Sequence, residues 1–445
     1  MLMYGEKMKA FFLLLFVCVG CTALEKPNVV LILSDDQSWT DYSFMGHEHI
    51  KTPHLDKLAS ESVLFRRAYV PVALCRPSLM SIVTGQYPHV HRVTGNDPAK
   101  QTPELKAALI ANIDRFEHLG KALSKQGYIS HQSGKWWEGN FKRGGFTEGM
   151  TRGFPEKGGR HGDDGLKIGR DGMEPISKFV AKAVKEDKPF FLWYAPFMPH
   201  TPHTPPERVL KNYKDKGLLP AVEKYYAMCE WFDETCGQLV DILEKNKVRE
   251  NTLIVYVCDN GWIQSEKANK YALRSKQSPY EMGTRTPIFF NWPAKLKAQD
   301  RKELCTSLDI LPTILAAAGG SIPANLPGLN LLPNMEEQKP IPRDMIFGES
   351  NAHDIVDIED PEKTLLYRWV IKGNWKLLLT YDGIVSKYKS THPRTEKRPQ
   401  LFDLKADPHE NNNLAKENPE LVAELVKELN AWYKPKTAKT IEVFE

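Results

Sequence analysis

The chain has 445 residues, and its 60 lysines and arginines against 56 aspartates and glutamates leave a formal net charge of +4. That near balance argues against a nucleic-acid binder, which concentrates a basic excess on one domain or helix, and 41% hydrophobic residues exclude a disordered chain. A mean hydropathy of −0.44 excludes a multi-span membrane protein, and seven cysteines are too few for a disulfide scaffold.

At the amino terminus, Lys7 and Lys9 precede an unbroken apolar run from residue 10 to 19, followed by Gly20, Cys21, Thr22 and Ala23. This is the layout of a secretory signal, and the run is shorter than the roughly 20 residues of a spanning helix. Gly20-Cys21 also resembles a lipoprotein cleavage site, with Cys18 where Leu is usual. Residues 1–24 therefore read as a signal peptide or lipoprotein signal. The mature chain is expected to be secreted, periplasmic or lipid-anchored on the cell surface, where calcium is available.

Next, residues 28–33 form an apolar β-branched run ending at Ser34-Asp35-Asp36-Gln37, the pattern of a buried strand that delivers two carboxylates at its carboxyl end. Helical spacing follows at 115–126, strands are predicted at 190–194 and 253–257, and the latter ends at Cys258-Asp259-Asn260-Gly261. Strands alternating with helices predict a large, mostly parallel sheet whose ligands sit at the strands' carboxyl ends. The Gly-, Arg-, Lys- and Asp-rich stretch 139–172 reads as an extended surface loop that shapes specificity. Pro- and Asn-rich residues 323–342 read as the link between a catalytic domain, 25–335, and a smaller carboxyl-terminal one, 336–445. In the latter, short strands at 367–371, 375–380 and 401–404 and a closing helix at 421–432 predict an α+β unit.

Five segments carry chemistry. Asp35 and Asp36 would repel one another in a low-dielectric crevice unless a cation neutralised them, although an Asp there also serves as a helix cap. Cys75-Arg76-Pro77-Ser78 opens a predicted helix, where Cys75 is either a thiolate activated by the helix dipole or an inert buried thiol. Gly134-Lys135-Trp136-Trp137-Glu138-Gly139 holds a point charge beside two aromatics. His200 and His203 lie in a Pro-rich turn after the 190–194 strand. Asp259 and Asn260 precede Lys276 and the run Tyr280-Glu281-Met282-Gly283-Thr284-Arg285-Thr286-Pro287, which taken alone is an Asn-Gly turn and a solvated lysine.

In this order over residues 28–287, the five segments resemble the formylglycine-dependent sulfatases of the alkaline-phosphatase-like superfamily, in a secreted bacterial-type form. The helix that begins at Cys75 runs on to Thr84-Gly85-Gln86-Tyr87-Pro88, as the family's does, and residues 401–414 are similar to a structural carboxyl-terminal element of the family. The resemblance implies a large mixed, mostly parallel sheet flanked by helices with a smaller antiparallel carboxyl-terminal domain. It implies that a maturation enzyme oxidises Cys75 to formylglycine, whose hydrated aldehyde supplies the nucleophile. Asp35, Asp36, Asp259, Asn260 and residue 75 would hold one calcium ion, an all-oxygen set that suits a hard cation. Lys135 and Lys276 match the lysines that bind and neutralise the sulfate, and His200, favoured over His203 by its spacing to Pro206-Glu207, matches the group that protonates the departing alcohol.

The expected substrate is a sulfated carbohydrate, with Asn351, His353 and Asp354 as specificity candidates. A phosphodiesterase or phosphonate monoester hydrolase on the same scaffold, and an inactive sulfated-glycan binder, are the alternatives. Two departures stand out: Leu79 where the modification signature carries Arg, with an Arg at 76 instead, and Trp137 where the third motif carries His. His89, His161 and His353 are the candidates to replace that His. Cys229 and Cys236 lie seven residues apart in a predicted helix, about 10 Å at the helical rise and too far for a mutual bridge.

Overall fold

The computed structural model describes residues 26–441 apart from His161 and residues 392–393. The signal-peptide segment and His161 thus lie outside the described residues. Eight strands form the main sheet: Asn28–Ser34 (β1), Val63–Phe65 (β2), Ile129–Gly134 (β3), Glu148–Gly149 (β4), Phe190–Ala195 (β5), Thr252–Cys258 (β6), Ile288–Asn291 (β7) and Gln299–Arg301 (β8). Their order is β8-β2-β7-β6-β1-β5-β3-β4, and only β7 runs against its neighbours.

The sheet is buried on both faces, which is why its central strands are apolar throughout rather than alternating. Val29, Leu31 and Leu33 pack with Leu79, Met80, Ile82 and Val83 of the helix Cys75–Thr84 (α1). Val30 and Ile32 turn the other way, onto Phe179 and Val180 of Glu174–Lys185 (α2) and Met228, Phe232 and Leu239 of Pro220–Lys245 (α3). Each such side chain contributes about 1.5–3 kcal/mol by leaving water, so the strand ends are held on a rigid frame.

A second sheet of Met345–Asn351 (β9), Leu365–Lys372 (β10), Trp375–Thr380 (β11) and Gln400–Asp403 (β12) is antiparallel in the order β9-β10-β11-β12. Pro419–Trp432 (α4) closes it by packing Val422, Leu425 and Leu429 on Val370, Leu377 and Leu379. Lys376 of β11, fully buried, joins this sheet to the larger body, with Nζ 3.1 Å from Glu281 and 3.0 Å from Glu410.

Three expectations change in detail. The helix predicted at 115–126 forms only over Leu119–Lys125, because Phe116 and His118 are extended and break it from the 3-10 turn Asn112–Arg115. The stretch 139–172 is not wholly loop: Glu148–Gly149 adds an edge strand against His131 and Gln132, and Asp164–Lys167 is a 3-10 turn. Within 323–342, Leu331, Leu332, Met335 and Ile341 pack into the core of the larger body around a short helix, Leu332–Glu336. The five described cysteines are free and buried, Cys229 and Cys236 among them. No helix among the described residues is long and apolar enough to cross a membrane.

Candidate active site

Four neighbouring parallel strands, β6, β1, β5 and β3, end side by side, and each delivers site residues just past its carboxyl end. β1 delivers Asp35 and Asp36, β6 Asp259 and Asn260, β3 Lys135, and β5 the turn that carries His200. The ladder continues beyond the strands: the Asp259 N–H donates to Ser34 O at 3.0 Å, the Asp35 N–H to Met198 O at 3.0 Å, and the Lys135 N–H to Ala195 O at 2.7 Å. Gly134 permits the last approach, since a Cβ there would stand 1.8 Å from Ala195 O. Asp36 takes a left-handed backbone, φ 64°, which costs a non-glycine residue on the order of 1 kcal/mol and is held by its side-chain partners.

Those partners are a lysine, an asparagine and a histidine that the motifs pointed to. Lys276 Nζ lies 2.6 Å from Asp36 Oδ1, Asn260 Nδ2 donates to the same oxygen at 2.7 Å, and His200 Nε2 is 3.2 Å from Asp36 Oδ2. Lys135 Nζ is 2.6 Å from Asp35 Oδ1 and 3.3 Å from Asp259 Oδ2. All three carboxylates and both lysines are buried. Burial alone would raise Asp36, but Lys276, His200 and Lys135 hold its carboxyl at about 2. Burial pushes Asp35 well up, assisted by Asp259 and Asp36 against Lys135. Burial opposes the charge on both lysines, yet Asp35 keeps Lys135 and Asp36 keeps Lys276 above the ordinary lysine value. The rise at Asp35 marks the burial and mutual repulsion of three carboxyl groups, the condition that a bound cation relieves.

The donors fit such a cation. Asp35 Oδ2 and Asn260 Oδ1 are buried oxygens without a hydrogen-bond partner, and an orphaned buried acceptor is costly unless something binds it. Ligand atoms of Asp35, Asp36, Cys75 and His200 fall within 4.8 Å of one another. Hard oxygens predominate in the full set of Asp35, Asp36, Asp259 and Asn260, which favours calcium or magnesium over zinc.

Cys75 stands at the first position of α1, all of whose residues are buried. Burial pushes its thiol up to about 11 against the pull of Lys135 and Lys276, so as a cysteine it is protonated and a weak nucleophile, not a dipole-activated thiolate. Arg76 does not supply the charge beside it. Its guanidinium forms two 2.8 Å hydrogen bonds to Glu138, and Nη1 donates to Asn96 O at 3.1 Å. The Arg76 N–H donates to Asn96 Oδ1 at 3.1 Å, satisfying one of the helix's open amides. Leu79, which stands at the signature's Arg position, is core. Of the His candidates, His89 pairs with Glu349 at 3.0 Å and stacks on Tyr433, and His353 is buried between Asn96 and Asp354. Asn351 and Asp354 are also buried. Trp137 lays its ring 5.6 Å from Lys135 Nζ and fills the vicinity with an aromatic face.

Arg76–Glu138, Asn96, and Trp262, whose ring lies 5.6 Å from Lys276 Nζ, were not among the predicted site residues. Unusual charges beside the motifs, at positions 76 and 138, were the only signal for the ion pair.

A family profile described as Sulfatase matches residues 27–321. The chain belongs to the sulfatase family. A second profile, N-sulphoglucosamine sulphohydrolase, C-terminal, matches residues 270–435 of this sulfatase. Its relatives include an N-acetylgalactosamine-6-O-sulfatase of Bacteroides thetaiotaomicron, 24% identical and covering 90% of this chain and 92% of that protein. Human arylsulfatase A is 27% identical, covering 90% and 86%. Among solved structures, Ps i-CgsB in complex with k-i-k-neocarrahexaose is 26% identical at a TM-score of 0.72, covering 93% of this chain and 94% of that one. The present chain is therefore a sulfuric ester hydrolase.

Proposed function

We propose that this sulfatase removes sulfate from a sulfated carbohydrate, using a formylglycine made from Cys75 and one calcium ion held by Asp35, Asp36, Asp259, Asn260 and residue 75. The observation that carries the reading is the meeting of three carboxylates, two lysines and His200 around Cys75, with Asp35 Oδ2 and Asn260 Oδ1 left without partners. A saccharide substrate is supported by the relatives that are named for an amino-sugar sulfate or bound to a neocarrahexaose.

When bound, the ion supplies a Lewis acid beside residue 75, and the hydrated aldehyde there supplies the attacking hydroxyl. Lys135 and Lys276 each bring a buried ammonium to the sulfate oxygens, where low dielectric strengthens the pairing. His200 Nδ1 donates to Thr201 O at 2.7 Å and Nε2 faces Asp36 Oδ2 at 3.2 Å, so the proton for the departing alcohol oxygen would come from Nε2 of the doubly protonated ring, a form that burial and the two lysines oppose and Asp36 favours. The catalytic machinery belongs to a domain of residues 25–335, with 336–445 as a smaller carboxyl-terminal one. The chain works outside the cytoplasm, in keeping with the address read at residues 1–24.

Mass spectrometry of the peptide spanning position 75, from protein made in its native host, tests the reading. An aldehyde there, with turnover of an aryl sulfate in preference to the matching aryl phosphate, is expected. An unmodified thiol or a phosphate preference overturns it.

A further inference from the structure

Trp137 is only partly buried, and its ring is shared by two cations. Lys135 Nζ lies 5.6 Å from the ring centroid on the reaction-site side, and Arg160 Cζ lies 5.2 Å from the same centroid. Arg160 is brought there by the stretch 139–172: the Trp136 N–H donates to Gly159 O at 3.2 Å, which pins the residue before Arg160 against the residue before Trp137. Arg160 is 32% exposed, and one nitrogen, Nη1, meets Asp97 at 2.7 Å. A guanidinium has five N–H donors in a fixed fork, so this contact leaves an edge for a second anion. Trp137 Nε1 is itself a donor without a partner.

The arrangement is an aromatic ring over which two cations lie. One of them, Lys135, sits among the reacting groups. Resting on the sulfatase reading above, we propose that Arg160 and Trp137 form a recognition subsite for a second anionic substituent, a carboxylate or a sulfate, on the saccharide that carries the reacting sulfate or on its neighbour. The reacting sulfate meets Lys135, and the second anion meets the free edge of Arg160, whose guanidinium the Trp137 ring holds in place. The substrate class is thus a multiply charged glycan, and a sugar with a single sulfate leaves the Arg160 edge unused.

The test is binding, measured by calorimetry on the Cys75→Ala protein so that it does not depend on turnover. The probes are a monosulfated N-acetylhexosamine, its disulfated counterpart, and a disaccharide joining the monosulfated sugar to a hexuronate. The disulfated sugar reports sulfate at the subsite and the disaccharide reports carboxylate. At least one of these doubly charged probes is expected to bind about tenfold tighter than the monosulfated sugar, as befits one charged hydrogen-bonding pair. Arg160→Gln in the same background is expected to abolish that preference and leave monosulfated binding unchanged, while Arg160→Lys keeps part of it. Equal binding of all three probes, or a preference that survives Arg160→Gln, overturns the subsite. Aryl sulfate turnover by the unaltered protein and by Arg160→Gln alone serves as the separate control: its absence in the unaltered protein counts against the reaction, whereas the binding series decides the subsite.

Discussion

Breaking the Arg76–Glu138 pair is expected to cost far more than removing it whole. The two side chains are only 6% and 5% exposed and meet through two 2.8 Å hydrogen bonds. Glu138→Leu strands a buried guanidinium whose remaining acceptor is Asn96 O, and Arg76→Met strands a buried carboxylate. Each single change should cost about 3–5 kcal/mol, because an uncompensated charge stays in a dry interior. The double variant fills the space with apolar groups and should lie within about 1 kcal/mol of the parent, giving a coupling energy of several kcal/mol. Urea unfolding of the four proteins measures this cycle directly. Activity should follow Arg76 itself, since it fixes Asn96 and through it the first turn of α1, where residue 75 sits. Both variants that lack Arg76, the re-stabilised double variant included, should lose turnover of an aryl sulfate, because neither keeps the Nη1 contact to Asn96 O. Additive single costs of less than about 1 kcal/mol each would show that the pair is solvated and that the reasoning is wrong.

Three further outcomes are expected. His200→Gln should slow an alkyl sugar sulfate by about 10²–10⁴ and an activated aryl sulfate much less, because only the poor leaving group needs a proton; equal losses on both would remove His200 from that role. Calcium at a hundred times its dissociation constant should stabilise the protein by about 2.7 kcal/mol over chelated protein, and Asn260→Ala should blunt the gain; a thermal midpoint indifferent to calcium contradicts the cation site. Burial pushes Glu410 up to about 7, with Glu281 adding to it and Lys376 opposing. Its folded value exceeds the unfolded one, so the stability it adds is complete below the ordinary glutamate range and is lost as pH rises through about 7. Glu410→Gln should flatten that part of the stability–pH curve, and an unchanged slope would place the titration elsewhere.

Much of the frame was legible because local chemistry fixes it. The apolar runs at 28–33, 190–194 and 253–257 became central strands of the sheet, since apolar runs of that length are stable only when buried on both faces. Acidic and basic residues just past such runs come together at one end of the sheet, because parallel strands in register end together. Residues 115–126 misled because apolar spacing does not reveal the extended Phe116 and His118, and 139–172 hid an edge strand of only two residues.

By itself, the sequence determined the class of the sheet, the order of the chemical segments and the identity of eight residues that converge: Asp35, Asp36, Cys75, Lys135, His200, Asp259, Asn260 and Lys276. It did not determine which charge answers which. Arg76 and Glu138 are 62 positions apart, and Lys135 and Asp259 are 124 apart. Only the tertiary structure turned Arg76 away from Cys75 and onto Glu138, left Asp35 Oδ2 and Asn260 Oδ1 open, and brought both Lys135 and Arg160 over the ring of Trp137. The physical reason is range: hydrophobic period and turn chemistry act over a few residues, whereas a buried charge chooses its partner from whatever the packed fold brings within about 4 Å.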